Sequence, residues 1–388
     1  MVETIYLDNA ATTFPKPREV GAAIQACLEG YCVNSGRGVY PLAQQAERII
    51  ANTRMQVQRL LGVAGQGEIV YSSSITVALN QILFGSPWKR GDAVYVTPYE
   101  HNSVFRPLAK LRSAQGIQIN ELTEAVSRDR LEWDLDKVKE AFFQCPPKAV
   151  VLSHVGNVCG NLTPIEGIAR LAKEYGAVVI VDGAQGGGLF PINNTSLIDF
   201  YAFSGHKTFY GPFGIAGFWK KKECILEPIL FGGTGTESER EDMPDEGPAR
   251  YEVGSPNILA IAGLSGACDW LEQIGSQSIL QHEQELLKEL ISGMENIEGV
   301  TVYGSKAALQ SGFVSINVAG YTAQTVAMIL SQEYGIAVRA GLHCAPRAHT
   351  FLGTIEDGGT VRIGLGYFNT RKEILVLLSA LNEMIEIA

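Results

Sequence analysis

Asp182 and Lys207 are the residues most suited to joint chemistry, because each closes a short apolar run: Asp182 follows Ala177–Val181, and Lys207 lies just beyond Ile198–Phe203. Short apolar runs bounded by glycine read as buried strands. Ligands of open α/β sheets lie beyond the carboxyl ends of strands. An amine placed there can form an imine with a carbonyl, and a carboxylate can hold a proton on a heterocyclic nitrogen.

Two further signals fall at predicted strand ends. Ser72-Ser-Ser-Ile75-Thr76 joins a strand (68–71) to a helical pattern (77–84). Free amides and hydroxyls at such a junction cradle a phosphate, or the serine is simply an N-cap. His101 follows a strand at 93–96. It either lies flat over an aromatic ligand or is an ordinary loop residue. A pyridoxal phosphate enzyme needs all four parts: a lysine for the aldehyde, an acid for the pyridine nitrogen, a phosphate cradle and a flat cover. No GxxxxGKS/T and no GxGxxG opening a helix at the first strand competes for the phosphate.

The elements that must position these residues alternate strand and helix from 68 to 218, which predicts a mostly parallel sheet with helices on both faces. Helices are predicted at 18–28, from Pro41, at 103–114, 135–143, 163–175, 257–271 and 279–294. Residues 232–256 read as a long loop of low apolar content. The last third reads as a smaller α+β unit, with strands at 300–303, 313–318, 336–339 and 361–363 and helices at 323–334 and 371–387. Arg37, in a glycine-bearing loop, is either a solvated arginine or an anion contact.

Composition narrows the classes. The 388 residues are 46% hydrophobic and 19% charged, an ordinary balance for a globular α/β protein of two domains. A net charge of −10 disfavours nucleic acid as a partner. No apolar run approaches a membrane span, and the N-terminal residues lack a signal-peptide pattern, so a cytoplasmic protein is expected. Seven cysteines without CxxC spacing and six histidines without HExxH predict neither a disulfide framework nor a metal site.

The motifs Tyr6-Leu-Asp-Asn-Ala-Ala-Thr12, Glu100-His-Asn102, His154-Val-Gly-Asn157, Asp182-Gly-Ala-Gln185, Ser204-Gly-His-Lys207, Gly254-Ser-Pro-Asn257 and Arg339-Ala-Gly-Leu-His-Cys344 span nearly the whole chain. In this order they resemble the class V aminotransferase family of fold-type I pyridoxal phosphate enzymes, and within it the cysteine desulfurases of group II, the SufS-like enzymes. The resemblance implies a large domain (16–256) built on a mostly parallel seven-stranded sheet and a small α+β domain (1–15 with 257–388). It makes Lys207 the Schiff-base lysine, Asp182 the partner of the pyridine nitrogen, Gln185 a partner of the 3-hydroxyl and His101 the ring cover. Ile75 (through its amide), Thr76, Ser204 and His206 match phosphate contacts. Ser255 matches a residue that reaches the phosphate from the other subunit of a homodimer. Asn157 lies beside cofactor and substrate, and Arg362 matches the arginine that holds the substrate carboxylate.

Cys344 decides the reaction that the resemblance implies. A cysteine is most often a small buried hydrophobe, but Cys344 sits in a polar loop. A cation nearby, His343 or an arginine, would favour its thiolate. The implied reaction converts L-cysteine to L-alanine and leaves a persulfide on Cys344 for a protein sulfur acceptor. L-selenocysteine is left open as a substrate. A class V aminotransferase or a β-eliminating lyase uses the same cofactor residues without Cys344. Three positions depart from the family pattern: Leu342 stands for a histidine, Val77 for a glutamate, and Ser74 for a glycine or asparagine.

Overall fold

In a computed structural model, residues 4–35, 38–237, 239–304 and 311–387 are described; Arg37 lies outside them. The central sheet is built from β2 (Glu68–Ser72), β3 (Ala93–Val96), β4 (Gln118–Glu121), β5 (Ala149–Ser153), β6 (Val178–Asp182), β7 (Phe200–Ser204) and β8 (Ala216–Lys220), in the order β2-β8-β7-β6-β5-β3-β4. Only β8 runs against the others. The mostly parallel seven-stranded α/β sheet is therefore as expected.

The apolar runs are continuous because both faces of the sheet are covered. Val150, Leu152, Val179 and Val181 enter one core. Their alternate neighbours Ala149, Val151 and Ile180 enter the other, as the two-residue period of a strand requires. Helices α3 (Ile75–Gly85) and α4 (Asn102–Gln115) pack on the second core. α2 (Pro41–Leu60), α5 (Leu135–Gln144), α6 (Ile165–Lys173) and α7 (Ile258–Ile274) pack on the first, and α1 (Arg18–Gly30) lies against α7.

The C-terminal third carries a four-stranded antiparallel sheet. Its strands are β9 (Val300–Tyr303), β10 (Phe313–Val318), β12 (Arg339–Gly341) and β13 (Thr360–Gly364), in the order β12-β13-β10-β9. α8 (Ser276–Met294), α9 (Ala323–Tyr334) and α11 (Arg371–Ile387) bury Leu290, Val326, Leu377 and Leu381 in its core. The N-terminal strand β1 (Ile5–Tyr6) pairs in parallel with β11 (Ile336–Ala337), so Leu7 joins the same core.

Two local features differ from expectation. The strand expected over 336–339 divides at Val338: β11 serves β1, while β12 turns to β13. After Cys344 the chain forms a short helix, α10 (Pro346–Leu352). Pro346 presets the first helical φ, and Gly353, at φ 78°, ends the helix in the left-handed region. Between 232 and 256 the described residues hold only a short 3₁₀ turn, Pro248–Arg250. No described helix is long and apolar enough to cross a membrane.

Candidate active site

The parallel strands deliver their carboxyl ends to one edge of the sheet. β2 runs into Ser74, whose hydroxyl caps α3 by accepting from Val77 N–H at 3.3 Å. The cap leaves the amides of Ile75 and Thr76 in the first turn, where an α-helix offers no internal acceptor. β7 ends at Ser204, whose buried Oγ has no hydrogen-bond partner; His206 Nδ1 is likewise buried and unpaired. The His206 ring stacks on the exposed Phe213 at 4.4 Å, and burial lowers its pKa to about 4, so the ring is neutral.

Asp182 is buried at the end of β6 and accepts from Ala184 N–H at 3.0 Å. Burial raises its pKa, partly opposed by that amide and by Lys207. Lys207 is partly screened from solvent. Burial lowers its pKa to about 8 against the pull of Asp182, and Arg362 and Arg339 lower it further. The Asp182-Gly-Ala-Gln185 turn lies tightly on β7: a Cβ on Gly183 would come within 2.1 Å of the Tyr201 ring. Only glycine allows that approach. The Tyr201 hydroxyl meets His154 Nδ1 at 2.8 Å. Gln185 Nε2 donates to Ala10 O at 2.7 Å, which ties this turn to the N-terminal motif.

His101 ends the β3 connection and caps α4. Its Nδ1 accepts from Ser103 N–H at 3.0 Å. Burial, with nearby Lys207 and arginines, lowers its pKa to about 4. The neutral ring therefore carries its proton on Nε2.

The small sheet supplies the other wall. Arg362 is buried on β13; its Nη2 donates to Asp8 Oδ1 at 3.0 Å and its Nη1 to Asn157 O at 2.9 Å, while Nε has no partner. Asn157 Nδ2 donates to His343 O at 2.8 Å, so one asparagine ties Arg362 to the Cys344 loop. Strand register sets Arg339 opposite Arg362, and Arg339 Nη2 donates to the exposed Cys344 Sγ at 3.8 Å. His343 and Cys344 both adopt positive φ, 48° and 58°, at a cost of roughly 1–3 kcal/mol each. Bonds from Asn102 N–H to Cys344 O (2.7 Å) and from Ala345 N–H to Leu342 O (2.8 Å) hold that conformation.

Of the two cations expected beside the thiol, His343 or an arginine, the structure supplies the arginine. His343 is not a cation beside the thiol. It is buried, with Nε2 3.1 Å from Thr360 O, and burial lowers its pKa far below the usual imidazole range, so it stays neutral. Arg339 takes that place. Lys207 lies within electrostatic range of Asp182, Arg362, Cys344, His101 and His206. Arg362 bonds Asn157, and strand register sets Ser204 at the same sheet end as Ser72, just before α3. Ser255 is exposed before α7, with no side-chain hydrogen bond to these residues among the described residues.

Several contributing residues were not singled out from the sequence. Asp8 and Arg339 lie inside motifs whose individual members look generic. Lys16 Nζ donates to His206 O at 2.8 Å, and burial lowers its pKa to about 7. Glu100 is buried; it accepts from the Thr97 hydroxyl (2.7 Å) and from Ser153 N–H and Oγ–H (2.8 Å each).

Burial raises the Glu100 pKa from 4.5 to about 7. Its neutral form is therefore the one that favours the fold. That stability is complete below about pH 4.5 and is lost as pH rises through about 7, on the order of 3 kcal/mol in all. Thermal unfolding of wild type and Glu100→Gln between about pH 5 and 8 should show wild type losing ground to the variant as pH rises. A constant difference would show that Glu100 does not titrate in this window.

The class-V aminotransferase family profile matches residues 5–377. A probable cysteine desulfurase of Methanothermobacter thermautotrophicus is 32% identical, over 98% of this chain and 94% of that relative. The apo structure of a cysteine desulfurase from Thermococcus onnurineus superposes with a TM-score of 0.90 at 32% identity, covering 99% of this chain and 95% of that one. A cysteine desulfurase from Escherichia coli, in an S-sulfonic acid form, gives 0.85 at 27% identity, with the same coverage. A profile match over nearly the whole length, and relatives that share both sequence and fold end to end, make this chain a member of the class V aminotransferase family.

Proposed function

We propose that this protein is a pyridoxal phosphate-dependent cysteine desulfurase of group II that converts L-cysteine to L-alanine and leaves the sulfur atom on Cys344. The observation that carries the reading is the exposed Cys344 Sγ, held beside Arg339 and within electrostatic range of Lys207. The short segment from Cys344 to α10 supports the group assignment.

The residues present fit the cofactor. Ser204 Oγ and His206 Nδ1 lack partners beside a helix start with free amides, which suits a phosphate. Asp182 is a buried carboxylate with a single amide donor, which suits a protonated ring nitrogen. When bound, pyridoxal phosphate supplies an electron sink for charge developing at the substrate Cα.

In this reading Lys207 carries the cofactor, Asp182 holds the proton on its ring nitrogen and Gln185 reaches its 3-hydroxyl. Ile75, Thr76, Ser204 and His206 hold the phosphate. His101 covers the ring and holds a proton at Nε2. Arg362 orients the substrate carboxylate with its remaining N–H donors, Nε among them, beside Asn157. Lys207, with its pKa near 8, moves the proton at Cα. Cys344 attacks the substrate sulfur: the C–S bond breaks, an S–S bond forms, and protonation of the carbon skeleton gives alanine, so the overall change is redox-neutral. L-selenocysteine offers the same amine and carboxylate to these residues. A protein thiol then takes the sulfur.

Ser255 reaches the phosphate across a homodimer. The exposed Phe14, Val39 and Phe213 support such an interface. The N-terminal strand's pairing with β11 supports grouping 1–15 with 257–388, apart from 16–256. Seven free cysteines suit the cytoplasm.

Product analysis tests the reading. The cofactor-loaded protein, given L-cysteine without reductant, should form about one alanine per chain and gain one sulfur atom, located on Cys344 by peptide mass spectrometry. Pyruvate with ammonia would instead identify a β-eliminating lyase, and a keto acid with an aminated cofactor an aminotransferase.

A further inference from the structure

At Pro346, two residues beyond Cys344, the surface carries a concavity of about 180 Å³ between α4, β4 and α10. Phe105, Ala109, Ile119 and Pro346 make it apolar. Arg106, Arg112 and Arg347 surround it. Arg347 pairs with Glu121 at 2.8 Å and lies over the Phe105 ring at 5.1 Å, which fixes one wall. Arg106 and Arg112 are exposed and form no ion pair among the described residues. Two uncommitted guanidinium groups beside an apolar hollow stand out in a chain of net charge −10.

Both helical walls begin at the reactive centre. His101 caps α4, Asn102 N–H bonds Cys344 O at 2.7 Å, and α10 starts two residues beyond Cys344. The Cys344 loop itself shows solvent an apolar Leu342, while His343 and His349 are buried. No imidazole of this loop is therefore available to grip a partner. What remains on offer is apolar contact and guanidinium.

Building on the desulfurase reading, we propose that this hollow docks the sulfur-accepting protein through a segment that presents an apolar side chain flanked by carboxylates. The apolar side chain fills the hollow, where burial gives affinity. The carboxylates meet Arg106 and Arg112 in the bidentate geometry that guanidinium favours, and the charges steer the encounter. The docked segment brings its thiolate to Cys344. That thiolate attacks the outer sulfur of the persulfide, the Cys344 S–S bond breaks, and a new S–S bond forms on the acceptor. Cys344 leaves as thiolate, with no net oxidation.

The test uses cofactor-loaded protein carrying the Cys344 persulfide, freed of cysteine. Synthetic peptides with one cysteine and one leucine differ only in the leucine's flanks: glutamate, glutamine or lysine. Sulfur arrival on the peptide is followed by mass spectrometry. The glutamate peptide should accept sulfur roughly ten-fold faster than the glutamine peptide, an advantage that shrinks with added salt. In R106E/R112E, loaded to the same level of Cys344 persulfide as wild type, the preference should pass to the lysine peptide. Equal rates for the glutamate and glutamine peptides on wild type overturn the docking proposal, as does a glutamate preference that survives in R106E/R112E. A wild-type protein that forms no persulfide overturns the desulfurase reading and the docking with it, so the two failures are told apart before any peptide is added.

Discussion

Lys207→Ala should abolish covalent cofactor binding and lower alanine formation from cysteine on the order of 10³-fold, the scale of losing a proton-transfer group that touches the reacting atoms. The variant should emerge from dialysis colourless where wild type stays yellow. Burial depresses the Lys207 pKa to about 8, and the guanidinium groups of Arg362 and Arg339 add to the effect. At pH 7 roughly one amine in ten is then neutral, against fewer than one in about a thousand for an ordinary lysine. Cofactor uptake by the apoprotein should accordingly rise about ten-fold per pH unit below 8 and level off above it. An uptake rate that still climbs steeply at pH 10 would show that Lys207 keeps an ordinary pKa. Retained colour and activity in Lys207→Ala would remove it from the chemistry altogether.

Cys344→Ala separates the reactions that share this cofactor site. The variant should keep its colour and its response to added cysteine, because Asp182, Lys207 and Arg362 are untouched. Alanine formation should fall by about 10³-fold, and no sulfur atom should appear on the protein. The placement argues for this residue in particular. Its sulfur is exposed beside Arg339, on a loop held in a costly conformation by Asn102 and Asn157. A buried structural cysteine such as Cys268 lacks that exposure. Cys32, also exposed, is the control, and Cys32→Ser should leave the product unchanged. Sulfide release that persists in Cys344→Ala at the wild-type rate would fit direct elimination and rule out the persulfide route.

By itself the sequence determined the layered α/β architecture and the placement of Asp182, Lys207, Ser204 and His101 at strand ends. It could do so because those features are local. A buried parallel strand needs an unbroken apolar run, and the residue after that run must face the ligand edge. Motif order added Arg362 and Cys344. Only the tertiary structure decided what depends on pairing between distant segments. The β12–β13 register sets Arg339 beside Arg362 and hands it, in place of His343, to the Cys344 sulfur. The β1–β11 pairing carries Asp8 to Arg362 across most of the chain length. Burial, a property of the packed chain, kept His343 neutral and drew Lys207 towards neutrality. Sequence spacing carries no record of which side chains lose their water, and that loss set the protonation states on which this site depends.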